Sequence, residues 1–410
     1  MAAGTEQLTW EGCVQEALQN NAKLKFAQQT YDSYRYAEFG SYNNFFPQLT
    51  GTLGYNYGTN GVSSVVVGSS STTPAASSNF LGTLTLSQNL FNGFLDQAGI
   101  EQAKAQRRAY QAALDQAKAQ MLADLKTAYG GLLIAQRQVA LQQEIIRRRQ
   151  KNLELVELQF NSGKENKGSV LLSRAYVNQS RYNALQATDN ITTFRAQLAF
   201  VLGRDEPGEY VLVEDVPLSV LDKQADFVAL ALVTPNLKQA IAQEQAANSG
   251  IVMARSNFFP SFNLNASVSQ FGQEFFPQGS RWFVGANLML PLFQGGKNYY
   301  QTKSARENFK AAISTRKSLG RQLVSNLKQA YVTYLEAIEQ LKMNESFREA
   351  GVKRSEIATG KYNNGLMTFE NWDIIESSRI TYETNYLQSQ LNLISAEASW
   401  QFAQGKGVSL

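Results

Sequence analysis

The chain has 410 residues, 43% of them hydrophobic, and carries 38 Lys and Arg against 34 Asp and Glu for a net charge of +4. That is enough apolar content for a folded core, and the scattered charge speaks against a nucleic-acid partner. With no histidine and a single cysteine, Cys13, serine triads, Cys/His nucleophiles and His-ligated zinc are excluded, no constellation supports an enzyme, and no cofactor or metal site is expected.

The first residues, "MAAGTEQLTWEG", lack the basic and apolar regions of a signal peptide, so the chain is either cytosolic or an export signal has been removed from it. Cys13 reads as an inert thiol on a helix face, since Trp10 and Glu11 do not suit the small apolar stretch that precedes a lipidated cysteine. No apolar run reaches the roughly 18 to 20 residues of a membrane helix.

Next comes "NNFFP" at 43–47, which returns as "SNFFP" at 256–260. Sliding the chain by 213 lays Leu24 on Leu237, Phe46 on Phe259 and Pro47 on Pro260. Farther on, a slide of 202 lays Leu90 on Leu292, Gly93 on Gly295, Tyr129 on Tyr331 and Gly203 on Gly405. The chain is therefore two copies of one pattern. Their offset changes by 11 residues (213 − 202) between Pro47 and Leu90, where the first copy carries the Ser, Val and Gly-rich loop 58–79. The expected domains are a first repeat at 1–203, a linker with an equatorial segment at 204–234, and a second repeat at 235–410. Pro207 and Pro217 make the linker irregular.

After Pro47, Leu49, Leu53, Tyr55 and Tyr57 alternate with Thr50, Thr52 and Asn56, and after the loop Phe80, Leu84, Leu86 and Leu90 alternate with Thr83, Thr85, Ser87 and Asn89. The second copy repeats this with Phe262, Leu264, Ala266 and Val268, then Trp282, Val284, Ala286, Leu288 and Leu290. Period two predicts strands, over about 48–91 and 261–293. One apolar face, small polar residues opposite and aromatics near the ends suit either a half-buried soluble hairpin or the wall of a membrane β-barrel.

From Phe94 to Phe160 there is no proline, and residues from Tyr110 through Leu125, Leu132, Gln142, Arg149 and Val156 to Phe160 recur at heptad spacing. This predicts one helix of roughly 100 Å that wants a coiled partner. It ends at the tip "FNSG" (160–163), whose second copy is "YNNG" (362–365). The second long helix repeats the seam from Leu319 to Leu341, and Asn344, Arg348 and Gly351 weaken it beyond.

Four strands are too few to close a membrane barrel, which starts at about eight, and an open edge in lipid leaves backbone groups unpaired. Several chains must then share one barrel. Three copies would give twelve strands, followed by a hollow cylinder of coiled helices. The order of elements, the repeated "FFP", the "LFNG" and "LFQGG" after each hairpin, and the two tips resemble the TolC-like outer membrane factor family over essentially the whole chain. The resemblance implies a mixed α and β fold: a homotrimeric, twelve-stranded outer-membrane β-barrel continuing into a periplasmic α-barrel with an equatorial belt. It implies a passive exit duct in the outer membrane of a Gram-negative bacterium. Its partners would be outer-membrane lipid, a periplasmic adaptor docked on the helical tips and an inner-membrane transporter.

The resemblance also places a gate in "GKYNNGLMTFENWDII" (360–375). Tyr362, Gly365 and Leu366 fit, whereas Met367 stands where an arginine link is expected and Asn371 and Ile374 stand at the acidic-ring positions. Glu370 and Asp373, each one residue earlier, are candidates for a displaced ring, with Glu154 as the acidic partner on the first hairpin; solvated helix-face acids are the alternative. Gly163, Lys164, Gly365 and Leu366 are the candidate adaptor contacts, although Lys164 and Lys167 replace apolar tip residues. Efflux of small molecules, type I secretion of polypeptides and, in a different class, a soluble coiled-coil scaffold are the functional readings.

Overall fold

The computed structural model describes residues 6–59, 76–220 and 224–407. In chain order they form β1 (Glu6–Leu8), α1 (Trp10–Asn20), α2 (Ala22–Gly40), β2 (Gln48–Thr59), β3 (Ala76–Asn92), α3 (Leu95–Asn161) and α4 (Lys167–Leu202). They continue with β4 (Tyr210–Leu212), α5 (Phe227–Val233), α6 (Pro235–Ser256), β5 (Ser261–Gly272), β6 (Gly279–Met289), α7 (Lys297–Asn363) and α8 (Phe369–Ala403). The internal repeat holds to the residue. Strand β5 is β2 advanced by 213 at both ends, and the 67-residue helix α7 is α3 advanced by 202 at both ends. Asn344 and Gly351 do not interrupt α7. Phe347 stacks on Tyr382 at 5.3 Å, and a Cβ on Gly351 would meet the Tyr382 ring at 2.6 Å, so the glycine admits a close approach of α8.

The chain divides into two compact units, one of Met1–Thr30, Gln111–Gln239 and Lys317–Leu410, the other of Tyr31–Tyr110 and Ala240–Arg316. The second holds a four-stranded antiparallel sheet in the order β2-β3-β5-β6. Its register sorts the side chains by face, because successive residues of a strand point to opposite sides. Leu49, Leu86, Ala266 and Val284 form one row, with Gly51, Leu84, Val268 and Trp282 beside it. The opposite face carries the row Thr52, Thr83, Ser269 and Arg281, in which the Thr83 and Ser269 hydroxyls are hydrogen-bonded at 3.0 Å. The apolar face is open: Leu53 is 93% exposed, Trp282 78% and Leu288 70%. A soluble hairpin would bury these residues.

The boundary of the first loop differs from the 58–79 expected from composition. Antiparallel pairing runs on through Asn56 with Asn79, Tyr57 with Ser78 and Thr59 with Ala76. Backbone ladders tolerate the Ser and Gly that blunt a sequence pattern. The rest of that loop lies outside the described residues. At the other limit, β6 stops at Met289, ahead of Pro291, which cannot donate to a ladder.

The repeated "FFP" marks the junction of sheet and helix. In the first copy, Asn44 donates to Asp96, in the first turn of α3, at 2.7 Å. In the second, Asn298, the equivalent of Asp96, donates to the carbonyl of Asn257, the equivalent of Asn44, at 2.8 Å. Gly93 has φ +68°, and a Cβ there would lie 2.6 Å from the Ser256 carbonyl and 2.7 Å from Phe259. Each junction is thus tied from residues next to the phenylalanines.

In the other unit α3, α4, α7 and α8 pack through small residues. A Cβ on Gly130 would meet Ile394 at 2.7 Å and one on Gly131 would meet Phe194 at 2.6 Å. The predicted α3 seam is buried at Leu114, Met121, Leu125, Leu132, Leu153 and Val156, and it also buries Gln142 and Arg149. Phe160, the last residue of the predicted seam, is exposed, and between Gln142 and Arg149 the inward position is taken by Ile145. Trp400, Leu327 and Tyr334 center an apolar cluster that Phe227 of α5 joins.

The sequence pattern did not show a short parallel pairing of β1 with β4, Leu8 opposite Leu212, which binds the start of the chain to the 204–234 segment. Three-residue strands are too short to display a period. Gln136 donates to the Tyr210 carbonyl at 2.8 Å and Tyr334 to the Ser219 carbonyl at 2.6 Å, holding that segment along α3 and α7. Below it Lys126 and Glu397, both almost fully buried, form an ion pair, with Glu397 also accepting from the Ser219 amide at 3.0 Å. Cys13 is buried and free, its thiol pushed up to about 12 mainly by burial.

Candidate functional site

The two helical turns between α3 and α4 and between α7 and α8 are built alike. Gly163 (φ +74°) and Gly365 (φ +72°) take left-handed conformations that an L side chain resists. The Lys164 amide donates to the Gln159 carbonyl at 2.9 Å, and the Leu366 amide to the Lys361 carbonyl at 2.8 Å, closing the orphaned carbonyls of each helix. Asn166 and Thr368 then cap the following helices, accepting from the amides of Ser169 at 3.1 Å and Asn371 at 3.4 Å.

Behind the turns lies a core drawn from all four helices: Leu153 and Val156, Val170 and Val177, Ala358 and Tyr362, Phe369 and Trp372. Tyr362 stacks on Trp372 with ring centroids 4.3 Å apart and planes 8° from parallel. The Tyr362 hydroxyl donates to Glu165 at 3.1 Å, linking the end of α7 to the first tip. Burial, then the Glu165 carboxylate, raise the Tyr362 pKa, so it stays a donor throughout the physiological range. A cleft of about 840 Å³ runs between the tips, lined by Lys164, Glu165, Tyr362, Gly365, Leu366 and Glu370 among others. The structure therefore gathers five of the eight sequence candidates around one cleft.

The other three lie apart. Gly163 forms the first turn, Glu154 is exposed on α3, and Asp373 faces α3 instead of the cleft. Its carboxylate accepts from Arg149 at 2.8 Å, with side-chain exposures of 13% and 9%. The same guanidinium donates to Ser377 at 2.9 Å and lies 4.4 Å from the Tyr176 ring centroid. One turn farther along α8, buried Glu376 accepts from Ser355 and, at 3.4 Å, from Asn152. Arg379 donates to Ser355 at 3.2 Å and to Glu383 at 3.0 Å, and Arg148 donates to Glu383 at 3.1 Å. This ladder ties α8 to α3 and α7.

Sequence reasoning placed Arg149 in the seam without a partner and did not single out Glu165, Ser355 or Glu376. A readable signal existed for one of them. An arginine at a heptad core position is buried at a cost that only a facing acid or acceptor offsets.

The outer membrane efflux protein family matches residues 13–204 and 229–404. The chain is 24% identical over 298 residues to the cation efflux system protein CusC of Escherichia coli O157:H7, a match covering 70% of this chain and 61% of that protein. It is 24% identical over 276 residues to the outer membrane protein TolC of Escherichia coli K12, covering 60% of this chain and 55% of that one. The matches thus span about six-tenths of the length of these relatives. A crystal structure of CusC superimposes with a TM-score of 0.85 at 18% identity, over 97% of this chain and 92% of that one. The two-copy plan, the open-faced sheet, the paired tips and these matches have one explanation: the chain belongs to the outer membrane efflux protein family.

Proposed function

We propose that this protein is the outer-membrane exit duct of a tripartite efflux pump in a Gram-negative bacterium. It is a passive conduit for small molecules, driven by an inner-membrane transporter through a periplasmic adaptor. One observation carries the reading: an antiparallel sheet with an open apolar face, a hydroxyl-rich opposite face and two unpaired edges, joined to helices of 67 residues. Lipid suits the first face and water the second, and copies of the chain, three in the economical arrangement, complete the wall. No catalytic step is needed. Cargo is chosen elsewhere in the pump.

The cleft-lining tip residues Lys164, Gly365 and Leu366, with Gly163 shaping the first turn, form the adaptor-docking end; Leu366 is 75% exposed there. The expected ring of Glu370 and Asp373 is revised: Asp373 is paired with Arg149, so the entrance charge falls to the exposed Glu370 and its partner Glu154, while Tyr362 and Asp373 hold the hairpins together. The test is single-channel recording of detergent-purified protein in planar bilayers, beside native mass spectrometry. Trimers that form pores, with cation preference lowered in Glu154→Gln plus Glu370→Gln, support the reading. Folded, inserted protein without pores overturns the duct, and pores whose selectivity ignores both glutamates overturn the gate assignment alone.

A further inference from the structure

Arg281 is the only Lys, Arg, Asp or Glu in the four long strands β2, β3, β5 and β6. It stands in the polar row with Thr52, Thr83 and Ser269. It lies two residues past Gly279, where β6 begins after the turn from β5, so it occupies the strand end remote from α6 and α7. It is exposed and takes part in no ion pair among the described residues. Its guanidinium carbon sits 5.6 Å from the ring centroid of Phe271, which pairs with Gly279 on the same face. The planar, weakly hydrated guanidinium suits that ring, which limits its freedom without neutralising it.

We infer that Arg281 sets the charge preference of the barrel mouth and makes it a site for anionic solutes. The inference rests on the shared-barrel reading above. When several chains complete one wall, their Arg281 side chains form a cationic ring on a strand face otherwise lined by uncharged residues, with Glu274 in the exposed β5–β6 turn the one acid between these two strands. A ring of arginines attracts anions and repels cations, and multivalent anions most of all. Its field reaches about 8 Å at physiological ionic strength and about 3 Å at 1 M, so the preference fades with salt. The ring has the opposite sign to the carboxylates at the helical tips. The exit would thus draw out anions that the entrance does not favour, and would hold a large polyanion at the mouth.

The experiment is planar-bilayer recording in about 0.1 M KCl with inositol hexakisphosphate added to one side at a time, comparing wild type, Arg281→Gln and Arg281→Lys. Wild-type pores should be blocked from the strand side only. Arg281→Gln should weaken that block about tenfold or more, Arg281→Lys should keep most of it, and about 1 M KCl should abolish it. Equal trimer yield by native mass spectrometry and equal conductance in about 1 M KCl, where the ring is screened, establish that the wall of both variants is intact. Block that is absent in wild type, equal from both sides, or unchanged in Arg281→Gln overturns the ring and leaves the duct standing. Folded, inserted protein that gives no pores overturns the duct and the ring with it.

Discussion

Arg149 of α3 and Asp373 of α8 form a nearly buried ion pair at 2.8 Å across two hairpins, with the Tyr176 ring packed beneath the guanidinium. Removing one partner leaves the other charge out of water without compensation, at a cost of about 3–5 kcal/mol. Arg149→Met and Asp373→Asn should each loosen the tip end and raise open-channel conductance, whereas Arg149→Met plus Asp373→Leu should recover much of the lost stability. Thermal unfolding in detergent, beside single-channel recording, checks both. Single variants as stable and as narrow as wild type would show the pair does not hold the hairpins.

The Tyr362 and Trp372 stack has two separable parts. Tyr362→Phe keeps the ring and removes the hydroxyl bond to Glu165, for an expected loss of about 1 kcal/mol. Trp372→Ala empties the center of the four-helix tip core and should cost about 3–5 kcal/mol. Hydrogen exchange should quicken at 150–180 and 350–380 in the tryptophan variant, with the sheet unaffected. Uniform acceleration would contradict a local role.

Gly203 and Gly405 end the last helix of each repeat in left-handed conformations. An added Cβ would lie 2.4 Å from the Asn20 carbonyl in one case and 2.2 Å from the Pro235 ring in the other. Both replacements combine backbone strain with a clash, so Gly203→Ala and Gly405→Ala should each destabilise by about 2 kcal/mol or more. Gly99→Ala, where nothing lies within 4 Å, is the control and should be neutral or stabilising. Melting temperatures decide.

Alkaline pH should weaken the packing of α1, α3 and α7 around residues 214–219. Burial raises Cys13 from 9.0 to about 12, and Tyr129 and Tyr334 from 10.0 to about 12. The unfolded chain therefore loses these protons first. The stability they contribute is complete below about pH 9 and is lost as pH rises toward 12, at up to about 1.4 kcal/mol per pH unit for each group. Cys13→Ala should flatten the start of the fall near pH 9, measured as melting temperature against pH. A fall of unchanged slope would exclude the thiol as its source.

The fold was legible because its signals are local and repeated. Matching letters at offsets of 213 and 202 fix β5 from β2 and α7 from α3, and period two alone sorts Leu49 from Thr50. The tips were legible through Gly163 and Gly365, since a glycine after a long helix announces the left-handed stop. Partners were not. Lys126 and Glu397, or Arg149 and Asp373, lie more than 200 residues apart, and nothing around either member names the other. Asp373 looked like a free acid in sequence because the arginine facing it sits on a different helix.

Among the described residues the sheet begins with β2 and ends with β6, each having one edge without a strand beside it. In lipid those edges cannot wait, because unpaired amides and carbonyls there find no water to bond. Completing the wall is then a collision between chains and not the last step in folding one. Its rate climbs with the local density of newly delivered protein, and dilution leaves sheets exposed to wrong neighbours. Whatever concentrates these chains at the membrane therefore acts as a catalyst of their assembly.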